Sequence, residues 1–301
     1  MKAVKQVTWK EELTARTQKI ETLIREYLPK ETGLQKTIFE ASNYSICAGG
    51  KRLRPMLMGE TYRLFGGQGK EIRPFMAAIE MIHTSSLVHD DLPCMDNDQY
   101  RRGKKTTWVA FGYDMAVLAG DALLTYAFET AAKAFADTEY PERVGRAMGI
   151  LAHKTGIYGM IGGQTVDVEM TEKPMTQEQL DFVYRLKTGA LLEASMMIGA
   201  VLAGADDASV TVVERAASRI GMAFQIQDDI LDLTSTTEVL GKPVGSDEKN
   251  QKTTYVTLHG LEQSRQDVEA FSREAMEQLK SLPGENEFLF QLVQMLITRE
   301  K

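Results

Sequence analysis

Cysteine is scarce: Cys47 and Cys94 are the only two in 301 residues. That number excludes a disulfide framework and any cysteine-based structural zinc site, so both read as small core residues. Positive charge is not in surplus either, with 35 Lys and Arg against 42 Asp and Glu and a formal net charge of -7. A nucleic-acid-binding surface is excluded on that balance, because affinity for a phosphate backbone comes from clustered Lys and Arg. Met1 to Arg16 has neither the apolar stretch nor the small-residue cleavage site of a secretory signal, which implies a cytosolic location. The longest strongly apolar run, Ala194 to Ala205 between Glu193 and Asp206, is too short to cross a bilayer. It reads as a buried helix, and no membrane span is expected. Also missing are low-complexity tracts, linkers rich in Gly, Pro and Ser, repeats of solenoid period and convincing strand pairs.

What remains is helical. Hydrophobic residues make up 43% of the chain, ample for a large core. They recur at helical spacing, as in Leu13, Ile20, Leu23, Ile24 and Tyr27. The eight prolines fall at or between segment ends, where a missing donor is harmless. The pattern predicts helices over 8–28, 34–48, 55–65, 72–91, 107–138, 142–169, 177–203, 207–233, 253–280 and 285–299. Asp114 to Phe128, Val144 to Val168 and Leu191 to Ala205 are apolar around much of their circumference, which predicts interior helices of a bundle. The expected architecture is all-α, one domain over residues 1–301.

Two acidic clusters stand out on these apolar helices. The first is His89-Asp90-Asp91-Leu92-Pro93-Cys94-Met95-Asp96-Asn97-Asp98. Asp90 and Asp96 are six apart and would point to different sides of a continuous helix, so Pro93 is expected to end it. The loop beyond would bring Asp96 back beside Asp90 and Asp91. The second cluster, Gln227-Asp228-Asp229-Ile230-Leu231-Asp232, closes another helix, with Asp228 and Asp232 four apart on one face. Carboxylates at a helix C-terminus oppose the macrodipole. Two charges ~4 Å apart at an effective dielectric of 20 repel by about 4 kcal/mol, which bound cations would relieve. A solvated helix end explains one such pair, but two clusters point to cations. Oxygen-only ligands favour Mg²⁺ held jointly with phosphate, and the ligand is read as a diphosphate.

Cations accompany these acids. Gly49-Gly50-Lys51-Arg52-Leu53-Arg54-Pro55 leads a basic turn into a helix, where Lys51 and Arg54 would hold a diphosphate directly. His83, nearly two turns before Asp90, shares its face and would donate to a second, metal-free phosphate. Arg101-Arg102-Gly103 adds two cations beyond the first cluster. Lys187-Thr188-Gly189 interrupts an apolar helix, Gln225 precedes Asp228 by three, and Lys242 and Lys252 follow the second cluster. Singly these are ordinary residues; together they offer acceptors for a cation and donors for a leaving group.

With these motifs the sequence resembles the trans-isoprenyl diphosphate synthase family, specifically bacterial farnesyl and geranylgeranyl diphosphate synthases. The resemblance runs from Gly-Gly-Lys-Arg-Leu-Arg-Pro through Leu-Val-His-Asp-Asp, Arg-Arg-Gly-Lys, Gly-Gly-Gln, Lys-Thr-Gly and Phe-Gln-Ile-Gln-Asp-Asp-Ile-Leu-Asp to Lys-Thr-Thr-Tyr. It implies a mostly antiparallel helical bundle around a central cavity, a homodimer, and condensation of isopentenyl diphosphate with a short allylic diphosphate. By the resemblance, Asp90, Asp91, Asp96 and Asp228 bind Mg²⁺, three ions with the allylic diphosphate present and Mn²⁺ able to substitute. Asp229 and Asp232 complete the second motif, while Arg101, Lys187 and Lys242 touch that substrate and Lys252 lies near it. Lys51, Arg54, His83 and Arg102 would hold isopentenyl diphosphate. Lys187, Thr188 and Gln225 are the implied catalytic groups near the cation.

The sequence departs from the usual farnesyl pattern where an aromatic residue precedes the first motif by five positions. Here that position is Ser85, followed by Ser86, about 6 to 7.5 Å below Asp90 at ~1.5 Å rise per residue. Small side chains there leave room for either fifteen or twenty carbons. Two other readings compete. A terpene cyclase shares the helices and aspartates but usually lacks the isopentenyl diphosphate pocket. A non-catalytic subunit of a heteromeric synthase typically loses an aspartate motif, and both are intact here.

Overall fold

The computed structural model describes residues 8–234 and 253–297. Lys242 and Lys252 therefore lie outside the described residues. The chain divides into two compact units, the first drawn from Met1–Gly59 and Gly69–Val144, the second from Glu60–Gln68 and Gly145–Lys301.

In the first unit, α1 (Trp9–Glu26) starts at a capping box, with Thr8 Oγ1 accepting from Glu11 N and the Glu11 carboxylate accepting from Thr8 N. α2 (Lys36–Ile46) and the start of α3 (Leu53–Leu64) follow. The long α4 (Ile72–Asp90) is the hub: Phe75, Ala77, Ala78, Ile79, Met81 and Ile82 are completely buried. It packs most extensively on α6 (Tyr113–Ala132), which α5 (Thr107–Phe111) precedes. The predicted helix 107–138 is broken at Gly112, whose φ of 97° other residues rarely adopt. A short antiparallel ladder, β1 (Tyr100–Arg101) with β2 (Lys104–Lys105), corrects the expectation of no paired strands. Its two-residue arms carry no hydrophobic alternation for sequence to reveal.

The second unit holds the end of α3 and most of α7 (Pro141–Thr155), then α8 (Met160–Glu169), α9 (Gln177–Val183), α10 (Ala190–Ala203) and α11 (Asp207–Thr234). α12 (Tyr255–His259), α13 (Leu261–Lys280) and α14 (Glu287–Ile297) complete it. The expected helix 253–280 is split at Gly260, again with positive φ. The expected helix 142–169 is split between α7 and α8. Between α9 and α10, Tyr184–Gly189 winds as a π-helix, a form that concentrates at functional sites. Gln177–Ala203 is long and apolar enough to span a membrane, but 78% of its apolar window is buried in the protein.

Burial corrects two expectations. Of the three helices read as interior, only α10 is buried throughout, Ala190 to Leu202. α6 leaves Leu118 53% exposed, and the Val144–Val168 stretch exposes Ile157 and Tyr158 by 71% and 69%. Hydropathy registers apolar content, not what covers it. The cysteines are not core residues: Cys47 is half-buried and Cys94 exposed, because Cys94 rides on the loop after the α4 terminus.

Candidate active site

α4 ends at Asp90, and the chain turns at once. Met95 N and Asn97 N both donate to Leu92 C=O, and Asp96 N donates to Asp90 C=O at 2.9 Å. Asn97 takes a positive φ of 55°, a conformation Asn tolerates better than most residues. This knot returns Asp96 to Asp90. Asp96 and Asp98 are exposed, Asp90 half-buried and Asp91 buried. Arg101 anchors the arrangement, its Nε and Nη2 lying 2.7 and 2.6 Å from Asp91 Oδ1 and its Nη2 3.2 Å from Asp98. Burial pushes the Asp91 carboxyl up to about 6, although Arg101 pulls the other way.

Beside this rim lies a cluster of cations. Arg102 Nη1 donates to Gly49 C=O, tying the first-cluster loop to the basic turn. Arg54 Nε is buried with no hydrogen-bond partner. Burial and the neighbouring Arg102 charge lower the Arg54 pKa to about 10, with Glu80 opposing. His83 is held well below the usual imidazole value, first by burial and then by Arg54, Arg102, Arg52 and Arg101. It is therefore neutral near pH 7 and retains one N–H donor. Lys51 is exposed. Within one unit, then, α4 carries carboxylates at its end and a histidine facing arginines two turns earlier.

The second unit has its own acidic cavity, about 200 Å³, lined by Asp167, Lys187, Thr188, Asp228, Asp229 and Asp232 among others. Lys187 Nζ lies 2.5 Å from Asp167 Oδ2, and Thr188 Oγ1 donates to Gln225 Oε1 at 3.0 Å. Asp229 is 6% exposed, and its Oδ2 accepts from Tyr184 OH at 2.5 Å and from Tyr255 N at 2.8 Å. The π turn exists where three helices crowd. A Cβ on Gly163 of α8 would sit 2.2 Å from Lys187 N, and one on Gly221 of α11 would sit 3.0 Å from Gly189 Cα.

Sequence reasoning missed Asp167, Tyr184 and Tyr255. Asp167 had a signal, standing one turn after the Gly-Gly-Gln motif, and so did Tyr255, which ends the Lys-Thr-Thr-Tyr motif; Tyr184 had none. Among the described residues, no three acidic, cysteine or histidine side chains form a ready metal cage. The oxygen-only donors at each rim nevertheless fit Mg²⁺, which takes one or two carboxylates and completes its shell with waters and phosphate.

Residues 35–293 match the polyprenyl synthetase family, and the chain belongs to it, a prenyltransferase of all-α fold. The chain is 48% identical over 246 residues to the large subunit 1 of a heterodimeric geranylgeranyl pyrophosphate synthase of Arabidopsis thaliana, covering 80% of this chain and 66% of that one. It is 43% identical to a geranylgeranyl diphosphate synthase of Cyanophora paradoxa, covering 89% and 88%. Among solved structures, a Helicobacter pylori geranyltransferase complexed with magnesium and isoprenyl diphosphate superposes with a TM-score of 0.81 at 31% identity, covering 95% of each chain.

Proposed function

We propose that the protein condenses isopentenyl diphosphate with dimethylallyl, geranyl and farnesyl diphosphates, releasing a twenty-carbon trans-prenyl diphosphate. The observation that carries this reading is the placing, around α4, of a carboxylate rim at its end, Asp90 with Asp91 and Asp96, beside a metal-free cluster of the Arg54 and Arg102 cations with neutral His83. The rim suits a diphosphate held through metal. The cations suit one held directly.

Asp90, Asp91 and Asp96, with Asp228 and Asp232 of the second cluster, are the groups assigned to Mg²⁺ on the allylic diphosphate. When bound, Mg²⁺ supplies charge neutralisation for the departing diphosphate. Arg101 and Lys187, now paired with Asp91 and Asp167, would turn toward that leaving group, while Lys51 would reach the isopentenyl diphosphate. The allylic C1–O bond breaks, the isopentenyl double bond forms the new C–C bond to C1, and the adduct loses a proton to the released diphosphate. Thr188 donates its hydroxyl proton to Gln225, which leaves its lone pairs free to face the cation. The chain's contribution is preorganised charge and the exclusion of water. Asp229, engaged by two donors, is read here as an anchor of the second cluster.

Twenty carbons is supported by the small side chain of Ser85, whose hydroxyl folds onto Ile82 C=O and which brings no aromatic ring to the stretch of α4 before Asp90. The relatives of Arabidopsis thaliana and Cyanophora paradoxa, geranylgeranyl synthases by name, agree. Self-association as a homodimer belongs to the same reading, supported by the exposed Leu118, Ile157 and Tyr158. Incubation with isopentenyl diphosphate, each allylic diphosphate and Mg²⁺, followed by product chromatography, tests the proposal. Geranylgeranyl diphosphate is expected, and a shorter product from Ser85→Tyr. A cyclic hydrocarbon, or no product without a second subunit, would refute the assignment.

A further inference from the structure

Three cations stand close together in the basic turn, and the sequence reading gives Lys51 and Arg54 a ligand but leaves Arg52 without a role. The structure separates them. Lys51 is exposed, Arg54 has a buried Nε with no partner, and the side chain of Arg52 is 0% exposed with every guanidinium nitrogen already donating. Arg52 Nε donates to Glu21 Oε1 of α1 at 2.7 Å, Nη1 to Glu80 Oε1 of α4 at 2.6 Å, and Nη2 to Ile46 C=O at the end of α2 at 2.6 Å. One side chain thereby ties together three helices.

We propose that Arg52 is a positioning residue of the isopentenyl diphosphate site, its buried fork fixing the turn so that Lys51 and Arg54 meet the same phosphates as His83. Register is the reason. Glu80 and His83 are three apart on α4 and share a face, so the Arg52–Glu80 bond sets where the turn lies along that face. The backbone agrees: Arg52 adopts a φ of 50°, a conformation costly for a branched-chain-free but bulky side chain and retained only where the surroundings impose it. Glu80 has a second effect. Its buried charge faces Arg54 and Arg102 as well as Arg52, so it moderates repulsion among cations that await an anion. Lysine would keep the charge of Arg52 yet could not span three acceptors on three helices.

This inference rests on the reading that the turn holds isopentenyl diphosphate, and the two can be tested apart. Binding of isopentenyl diphosphate to the full-length chain in EDTA, by calorimetry, is compared for wild type, Lys51→Ala and Arg52→Lys. Steady-state KM values for both substrates with Mg²⁺, and Tm, are measured in parallel. Arg52→Lys is expected to raise the isopentenyl KM about tenfold and to weaken metal-free binding alike, with the allylic KM changed by less than about twofold. Glu21→Gln, altering the more exposed partner, is expected to move the same KM about two- to threefold, and it decides the matter should Arg52→Lys fail to fold. A merely structural arginine would lower Tm and disturb both substrates together; that result, or an isopentenyl KM unchanged in both variants, overturns the inference. Should wild type bind no isopentenyl diphosphate in EDTA, and Lys51→Ala behave as wild type, the reading of the site itself fails and this inference goes with it.

Discussion

The two acidic clusters share a composition and differ in how they are held. The first sits on a surface knot after α4, with Asp96 and Asp98 exposed and a single arginine, Arg101, gathering Asp91 and Asp98. The second is embedded in a helix, with Asp229 and Asp232 6% and 5% exposed and Asp229 bound by Tyr184 and Tyr255. One rim owes its shape to a loop and an ion pair, the other to packed helices. Exposed ion pairs contribute little to stability, whereas charge-assisted bonds in a buried setting contribute more. The first cluster should therefore tolerate perturbation of its frame, and the second should not.

The largest expected effect treats the clusters alike. Asp90→Ala and Asp228→Ala are each expected to lower kcat/KM by about 10³, the scale of losing one charge-stabilising group. A loss at only one of them, read by radiolabelled product formation, would show that the other cluster has no part in the chemistry. Next in size is a test that separates them. Tyr184→Phe removes a donor to a buried carboxylate and is expected to destabilise the fold by about 2 kcal/mol, read from urea midpoints. Asp98→Ala, on the first rim, is expected to cost less than about 0.5 kcal/mol. Equal midpoints would erase the distinction.

The smallest effect concerns protons. The His83 pKa is lowered in the folded chain, by burial and by Arg54, Arg102, Arg52 and Arg101, with Glu80 opposite the arginines. The unfolded chain then takes up a proton near pH 6.5 that the folded chain refuses. Stability should fall as pH drops below 6.5, by at most about 1.4 kcal/mol per unit from this group. An NMR titration of the His83 ring that showed a midpoint at or above 6.5 would contradict its placement among cations.

Much of this was legible because it lies in local pattern. The return of Asp96 to Asp90 follows from six-residue spacing and a proline between, and the all-α fold follows from periodicity alone. What sequence concealed was tertiary. Nothing in the run Lys51-Arg52-Leu53-Arg54 distinguishes a buried strut from a surface cation, since Arg52's partners Glu21 and Glu80 lie 31 and 28 residues away. The exposed face of α6 and the exposed Ile157 and Tyr158 read as interior because apolar content does not disclose coverage. Lys187-Thr188-Gly189 was visible as an interruption, but not as a change of winding, because that depends on Gly163 and Gly221 closing in from neighbouring helices.

That change of winding makes the segment tolerant of length in a way that ordinary helices are not. A π turn accommodates one more residue than an α turn at the same place. Deleting a single residue between 185 and 189 would let the segment relax to regular pitch while α9 and α10 keep close to their present rotational phase, because the wide turn already absorbs the surplus residue. The buried face of α10 would stay where it is, and the change would fall on the bulge itself, where the amine of Lys187 now meets Asp167. The surplus residue thus serves the cavity and not the core, so its removal should cost activity before it costs stability.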